Sequence, residues 1–289
     1  MEICFALTTN GDWPGTVRMA QQAEAAGFDG VVWADHLLGN PRGTPMLEGW
    51  TVLSALGAVT SRVQVGILVL NNMFRNPGLL AKMATALDLV TNGRLRFLIG
   101  TGWMSAEHRQ YGFDFPSGGH RVELLEDAVM RGLWDSHGQP FTYEGRHASV
   151  RECINIPFPQ RRIPIGIATS GKRCLGLTAR LADEWSCPST AMKSLAELSS
   201  AVDENLGGVG RDRRALRRSV TITYTVGEIS PGPDPFNTRL GLHGSTQQMV
   251  DRAGEWARIG ITTAYLHAGY SQAAFEAVAR ALPALHKVG

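Results

Sequence analysis

Proton transfer is the first chemistry the residue types offer. Trp33-Ala34-Asp35-His36 closes a strand-like run, and an imidazole beside a carboxylate suits proton movement near neutral pH. An ordinary polar loop is the plain alternative for the same residues. Leu68-Val69-Leu70 leads into Asn71-Asn72-Met73-Phe74-Arg75-Asn76-Pro77. Its paired asparagines tolerate unusual backbone and offer amide hydrogen bonds to the edge of a heterocycle, or else simply turn the chain into a helix at Pro77. Gly100-Thr101-Gly102-Trp103 combines close backbone approach, a hydroxyl and a flat apolar face. Ser105 stands where the third glycine of a dinucleotide fingerprint belongs, which disfavours a Rossmann-type nicotinamide site. Thr169-Ser170-Gly171-Lys172-Arg173 opens a helix, and free backbone N–H groups with the helix dipole favour an anion there. A simple helix cap with solvated cations is the alternative. A P-loop is excluded, because the upstream glycine is missing and Arg173 replaces the Ser/Thr.

All four segments sit at the C-terminal ends of predicted strands. The β-like runs are Ile3–Thr8, Gly30–Ala34, Val63–Val69, Leu95–Gly100, Ile163–Ala168, Glu184–Cys187, Ser219–Val226 and Thr262–His267. Helical patterns follow them at Pro14–Ala26, Glu48–Thr60, Pro77–Thr91, Gly119–Asp135, Gly171–Leu181, Lys193–Leu206, Ser245–Ile259 and Gln272–Lys287. Gly27 predicts a left-handed cap, and Ser245 with Gln248 has capping-box spacing. Parallel strands need right-handed crossovers, so eight consecutive βα units close most economically into a (β/α)8 TIM barrel, with an open doubly wound sheet as runner-up. The whole chain, 1–289, reads as one barrel domain with an insertion over about 103–160. That insertion contains a helix and a hairpin around Phe141–Tyr143 and Ser149–Ile154, and a second long loop spans Glu228–His243.

Composition removes other classes. With 28 Lys+Arg against 26 Asp+Glu the formal charge is +2, which disfavours a dedicated nucleic-acid or membrane-surface binder. The longest apolar runs, such as Val63–Leu70, fall short of the roughly 20 residues of a membrane span. The start, Met1-Glu2-Ile3-Cys4-Phe5, lacks the features of a secretory signal, so a cytoplasmic location is expected. Cys4, Cys153, Cys174 and Cys187 are scattered without a C-x-x-C spacing, so free thiols and no metal are expected.

These motifs together resemble the bacterial-luciferase-like superfamily, in its branch of coenzyme F420-dependent oxidoreductases. The resemblance is carried by 25–36 (AAGFDGVVWADH), 75–83 (RNPGLLAKM), Gly93-Arg94-Leu95 with Gly100-Thr101-Gly102-Trp103, and Glu107-His108-Arg109-Gln110-Tyr111-Gly112. Further matches are 141–147 (FTYEGRH) and 179–185 (ARLADEW), with a weaker one near 244–266. The resemblance implies a flavin or 5-deazaflavin across the C-terminal mouth, its ring near His36, the Leu68–Asn71 strand end (Leu70 and Asn71 as contacts) and Thr101-Gly102. It implies a non-proline cis peptide between residues 68 and 71, and a cofactor phosphate at Thr169, Ser170, Gly171 and Lys172. Lys172, Arg173 and Arg42 fit the polyglutamate tail of F420.

On this basis the chain is expected to transfer a hydride between deazaflavin C5 and a small organic C=C or C=N substrate. His36 is the expected proton donor, tuned by Asp35, with Phe74 and Trp103 as walls of the substrate pocket. Glu107 and His108 are alternates, more in keeping with helix-surface or supporting roles. The sequence departs from the family in three places. Its phosphate loop has fewer glycines than usual, Asn71 replaces a small residue, and Trp103 stands where some F420-dependent dehydrogenases carry an acid, which weakens a sugar-phosphate-dehydrogenase assignment. An FMN-dependent monooxygenase using O2 is the alternative function, and a non-catalytic flavin-binding barrel a third. Partners are expected to be small molecules, without nucleic acid or membrane, and the chain is expected to form a homodimer.

Overall fold

The computed structural model describes residues 1–7, 11–39, 43–128, 131–225, 241–267 and 272–289. The chain runs β1 (Glu2–Ala6), α1 (Trp13–Ala26), β2 (Gly30–Trp33), α2 (Gly49–Val59), β3 (Gln64–Ile67), β4 (Leu70–Asn71), α3 (Pro77–Val90) and β5 (Leu95–Gly100). An excursion follows: α4 (Ser105–Tyr111), α5 (Gly118–Ala128), α6 (Arg131–Asp135) and the antiparallel hairpin β6 (Phe141–Glu144) and β7 (Ser149–Cys153). The barrel resumes with β8 (Ile165–Ala168), α7 (Lys172–Leu181), β9 (Glu184–Cys187), α8 (Leu195–Gly208), β10 (Arg217–Thr225), β11 (Leu242–His243), α9 (Thr246–Arg258), β12 (Thr263–His267) and α10 (Gln272–Leu285).

Eight parallel strands close the ring β1-β2-β3-β5-β8-β9-β10-β12 and back to β1. The predicted barrel is therefore the observed architecture, and no open sheet edge remains in that ring. Local chemistry sets the element boundaries. Asp12 accepts the Gly15 N–H at the start of α1, and Gly27 ends it in the left-handed region at φ 93°. Asn76 caps α3 ahead of Pro77, whose missing N–H costs nothing there. Ser245 and Gln248 form the expected capping box of α9.

Two predicted elements are redrawn. The run expected at 63–69 gives β3 alone, and β4 follows just beyond it, across a cis peptide at Leu68–Val69 inside the expected interval. The helix expected at 119–135 becomes α5 and α6, and α4 is an unpredicted helix just before them. Thr8, Arg42, Val226 and most of the Glu228–His243 loop, residues 228–240, lie outside the described residues.

Alternation along the strands sorts side chains between two environments. One set, including Phe5, Val31, Trp33, Ile67 and Ile99, packs against the helices. The other, Cys4, Ala6, Val32, Leu98 and Tyr265 with Leu68 and Val69, fills the barrel interior. Toward the N-terminal end the interior is ionic: the Arg96 guanidinium donates to Glu184 at 3.0 Å and to Glu2 at 2.8 Å. Tyr265 and Ser219 also donate to Glu184, at 2.9 and 2.7 Å. A buried charge needs such partners. At the opposite end the interior positions carry small residues, Ala6, Gly100 and Ala168, so the C-terminal mouth is left open for a ligand. All four cysteines are free thiols. No helix among the described residues is long and apolar enough to cross a membrane.

Candidate active site at the C-terminal mouth of the barrel

His36 leaves the end of β2 and meets Glu107 of α4, Nδ1 lying 3.0 Å from Oε1 and 3.3 Å from Oε2. The Glu107 carboxylate also accepts the N–H groups of Leu37 at 2.9 Å and Leu38 at 3.4 Å. Burial favours the neutral acid, but His36 and these amides outweigh it and hold the Glu107 carboxyl below its ordinary range. An ionised carboxylate only accepts, so Nδ1 of His36 carries the proton. That leaves Nε2 as the imidazole atom able to exchange a proton with a ligand. Glu107 is only 1% exposed, so of the two roles expected for it the supporting one agrees with the structure and the helix-surface one does not. The Trp103 ring, 63% exposed, stands edge-on to His36 with centroids 5.5 Å apart.

Asp35 does not serve His36. Arg75 grips it through two hydrogen bonds of 2.8 and 2.9 Å, and the Asn71 N–H donates to it at 2.8 Å. Arg75 also donates to Glu48, at the N-terminus of α2. The expected tuning of His36 by Asp35 is therefore corrected: the two side chains leave β2 in different directions, and Asp35 ties the end of β2 to the loop after β4.

Asn71 and His108 lock one another. The Asn71 Oδ1 accepts the Met73 N–H at 3.1 Å, which turns Nδ2 toward His108 Nε2 at 2.8 Å. His108 Nδ1 faces the Asp114 carbonyl at 2.8 Å, so Nδ1 must donate and Nε2 must accept. This histidine is wholly buried in a single neutral tautomer, and neither nitrogen is left for catalysis. That exchange engages one N–H and one lone pair of the Asn71 amide, and the amide borders Gly102 at the mouth. Leu70 packs in the helix-facing core, leaving only its backbone to the site. Phe74, expected as a pocket wall, lies 5.0 Å from both His108 and Phe113 and packs in their aromatic cluster.

The mouth itself is built by residues around the cis peptide. A Cβ on Gly100 would come within 2.9 Å of the Val69 side chain, and one on Gly102 within 2.9 Å of the Asn71 amide and 3.0 Å of Met73. Gly102 also has φ +65°, where side chains are disfavoured. The Thr101 hydroxyl has no hydrogen-bond partner among the described residues. Across the barrel, alternation from Tyr265 places His267 on the interior face, and burial depresses its pKa to about 4, which keeps it neutral.

At β8 the anion-site residues separate. Thr169 is buried and its Oγ1 accepts the Gly171 N–H at 3.1 Å, so it shapes the loop. Ser170, Gly171 and Lys172 are exposed, and Gly171 stands at the N-cap of α7 with no side chain capping its first amides. Arg173 is turned away, donating to Glu123 at 2.6 Å. The cradle of glycines and the uncapped helix fit a flat ring carrying a phosphate, with Val69, Thr101 and Gly102 at the ring end and Ser170, Gly171 and Lys172 at the phosphate end.

Sequence reasoning missed Arg75, Glu107 as the partner of His36, and His267. The pairings span 71 residues for His36 and Glu107 and 40 for Asp35 and Arg75, which no local spacing signals. His267 alone had a local signal, as an ionisable residue closing the last predicted strand.

An F420-dependent glucose-6-phosphate dehydrogenase of Microbacterium testaceum is 33% identical over 199 residues, 66% of this chain and 58% of that protein. One from Gordonia bronchialis is 28% identical over 277 residues, 92% of this chain and 76% of that protein. The chain thus spans less than two thirds of the length of the first relative and about three quarters of the second. Among solved structures, an F420-dependent secondary alcohol dehydrogenase in complex with an F420-acetone adduct matches with a TM-score of 0.84 and 18% identity, covering 98% of both chains. That likeness speaks to the fold. The family model for luciferase-like monooxygenases matches residues 3–230, and the chain belongs to this luciferase-like family.

Proposed function

We propose that the chain is an F420-dependent oxidoreductase acting on a small organic molecule with a C=C or C=N bond, and that His36 handles the proton. The observation that carries this is the His36–Glu107 pair at the barrel mouth, with Nδ1 held by a buried carboxylate and Nε2 without a partner among the described residues. When bound, the deazaflavin supplies the carbon, C5, that gives or takes a hydride. Reducing a double bond by hydride leaves a site that needs one proton, and Nε2 of protonated His36 is the group to deliver it. In the oxidative direction Nε2 takes that proton. Glu107 stays ionised throughout and stabilises the imidazolium, as the orienting carboxylate of a histidine base does elsewhere.

Trp103 offers an apolar face beside His36 for the substrate. No carboxylate follows Gly102, so the proposed substrate is a compact, largely apolar enone or imine in preference to a sugar phosphate. Ser170, Lys172 and the first amides of α7 would hold the cofactor phosphate. The two dehydrogenase relatives support the choice of F420. The family's own description, luciferase-like monooxygenase, favours FMN with O2 as the second reading, and the cofactor that binds decides between them.

His36→Ala tests the proton role. F420 affinity should stay within about 2-fold while anaerobic oxidation of reduced F420 with a panel of enones and imines slows by roughly 10²–10⁴, the usual scale for a general acid. Turnover close to that of the wild type would remove His36 from the mechanism.

A further inference from the structure

Opposite the mouth, at the N-terminal end of the barrel, a cavity of about 280 Å³ opens beside the last turn of α7. Leu181 and Ala182 line it together with four arginines from four different elements: Arg131 of α6, Arg162 before β8, Arg180 of α7 and Arg211 after α8. The volume approaches the lower end of small-molecule sites, roughly 300 Å³. α7 has ten residues and so spans about 15 Å, which sets this cavity apart from the first turn of α7 at the mouth.

Gathering four guanidinium groups incurs like-charge repulsion, and the protein offsets only part of it. Asp183 takes Arg131 at 2.5 Å and Arg162 at 2.7 Å, and Glu126 takes Arg180 at 2.9 Å. Arg211 has no carboxylate partner among the described residues. It donates to the carbonyls of Ala179 at 2.6 Å, Ala182 at 3.0 Å and Ala215 at 3.3 Å. Four cations against Asp183 and Glu126 leave a surplus of two. The C-terminal end of α7 brings about −0.5 of a charge. Asp135, one turn beyond Arg131 on α6, lowers the surplus further without pairing with any of the four, and Asp212, next to Arg211, is answered by Arg214 at 3.0 Å. The cavity stays positive with all of these counted. The side chains of Arg162 and Arg180 are 65% and 50% exposed, and each meets its carboxylate through one nitrogen, which leaves most of each donor fork for a ligand.

We propose that this cavity is a binding site for a phosphate dianion, free or as the monoester of a small metabolite, on the barrel face opposite the chemistry. Guanidinium groups arriving from four elements suit a group that accepts from several directions. Phosphate offers three strong acceptor oxygens, whereas a lone carboxylate offers two in one plane. A charge close to −2 at neutral pH also meets the positive surplus. The site is independent of which cofactor the mouth holds.

The test is isothermal titration calorimetry of the full chain with inorganic phosphate and with glycerol 3-phosphate, at an ionic strength held constant with NaCl. The wild type should bind phosphate saturably, with a Kd on the order of 1 mM or tighter. Arg162→Gln combined with Arg180→Gln should weaken binding by about 10-fold or more, while Lys172→Ala, at the other end of α7, should leave it within about 2-fold. Equal affinity for the two ligands assigns the site to phosphate itself, and tighter binding of the ester assigns it to a phosphorylated metabolite; either supports the proposal. A second readout needs no variant: phenylglyoxal, which modifies guanidinium groups, should label Arg162 and Arg180 about 3-fold more slowly or less in the presence of phosphate, whereas the exposed Arg151 keeps its rate. Wild-type protein that shows no saturable binding, binding that Lys172→Ala abolishes and the double variant keeps, or labelling rates unchanged by phosphate would each overturn the site.

Discussion

Replacing Asp35 by Asn separates a structural carboxylate from a catalytic one. Asp35 and Arg75 are nearly inaccessible, with side-chain exposures of 1% and 9%, and share two hydrogen bonds. Removing one partner of a buried pair costs about 3–5 kcal/mol where the other charge is left uncompensated; Arg75 keeps the partly exposed Glu48, so the low end of about 3 kcal/mol applies. With an unfolding entropy of about 2.1 cal/mol/K per residue, 289 residues give roughly 0.6 kcal/mol/K, so Tm should fall by about 5 °C in scanning calorimetry. Asp35→Asn with Arg75→Met removes both charges and should recover most of that loss, because apolar replacement of a whole buried pair is far cheaper than breaking it. Turnover and F420 affinity, measured well below the transition, should stay within about 3-fold. An unchanged Tm accompanied by a 100-fold loss of turnover would refute the structural role and return Asp35 to the chemistry.

Two further outcomes follow from the mouth. Gly102→Ala forces a side chain into a left-handed conformation and against the Asn71 amide, so Tm should drop by about 2–3 °C for roughly 1–2 kcal/mol of strain, with a several-fold loss of F420 affinity in the fluorescence titration. His267 is neutral when folded, with its pKa depressed to about 4, whereas an unfolded histidine titrates near 6.5. The unfolded chain therefore binds the extra proton first, and stability falls as pH drops from about 6.5 to 4, by about 3 kcal/mol in all. Urea unfolding of His267→Gln should show a shallower decline over that window than the wild type, and an identical pH dependence would exclude His267 as its source.

The fold was legible because parallel barrel strands are buried on both faces and read as short apolar runs, of which Leu95–Gly100 is the clearest, every residue being buried. Caps were legible where a side chain bonds its own helix, as at Ser245, whereas at α3 Pro77 marked the start and the Asn76 cap went unread. The break of the third strand into β3 and β4 left no trace in the hydrophobic pattern, because Leu68, Val69 and Leu70 remain apolar on both sides of it. At the site, strand-end position pointed to His36, Trp103 and Gly102 without naming their neighbours. Asp35 adjoins His36 in sequence, yet both lie just past the end of β2 and each finds its partner far along the chain: Arg75 after β4 for Asp35, Glu107 on α4 for His36. His108 looks like a free polar group until the Asp114 carbonyl and the Asn71 amide are seen to engage both of its ring nitrogens.

The most direct measurement is a side-by-side fluorescence and calorimetric titration of the purified protein with F420 and with FMN. The account predicts saturable 1:1 binding of F420, which an equal concentration of FMN does not displace. Tight binding of FMN with no binding of F420 would contradict it.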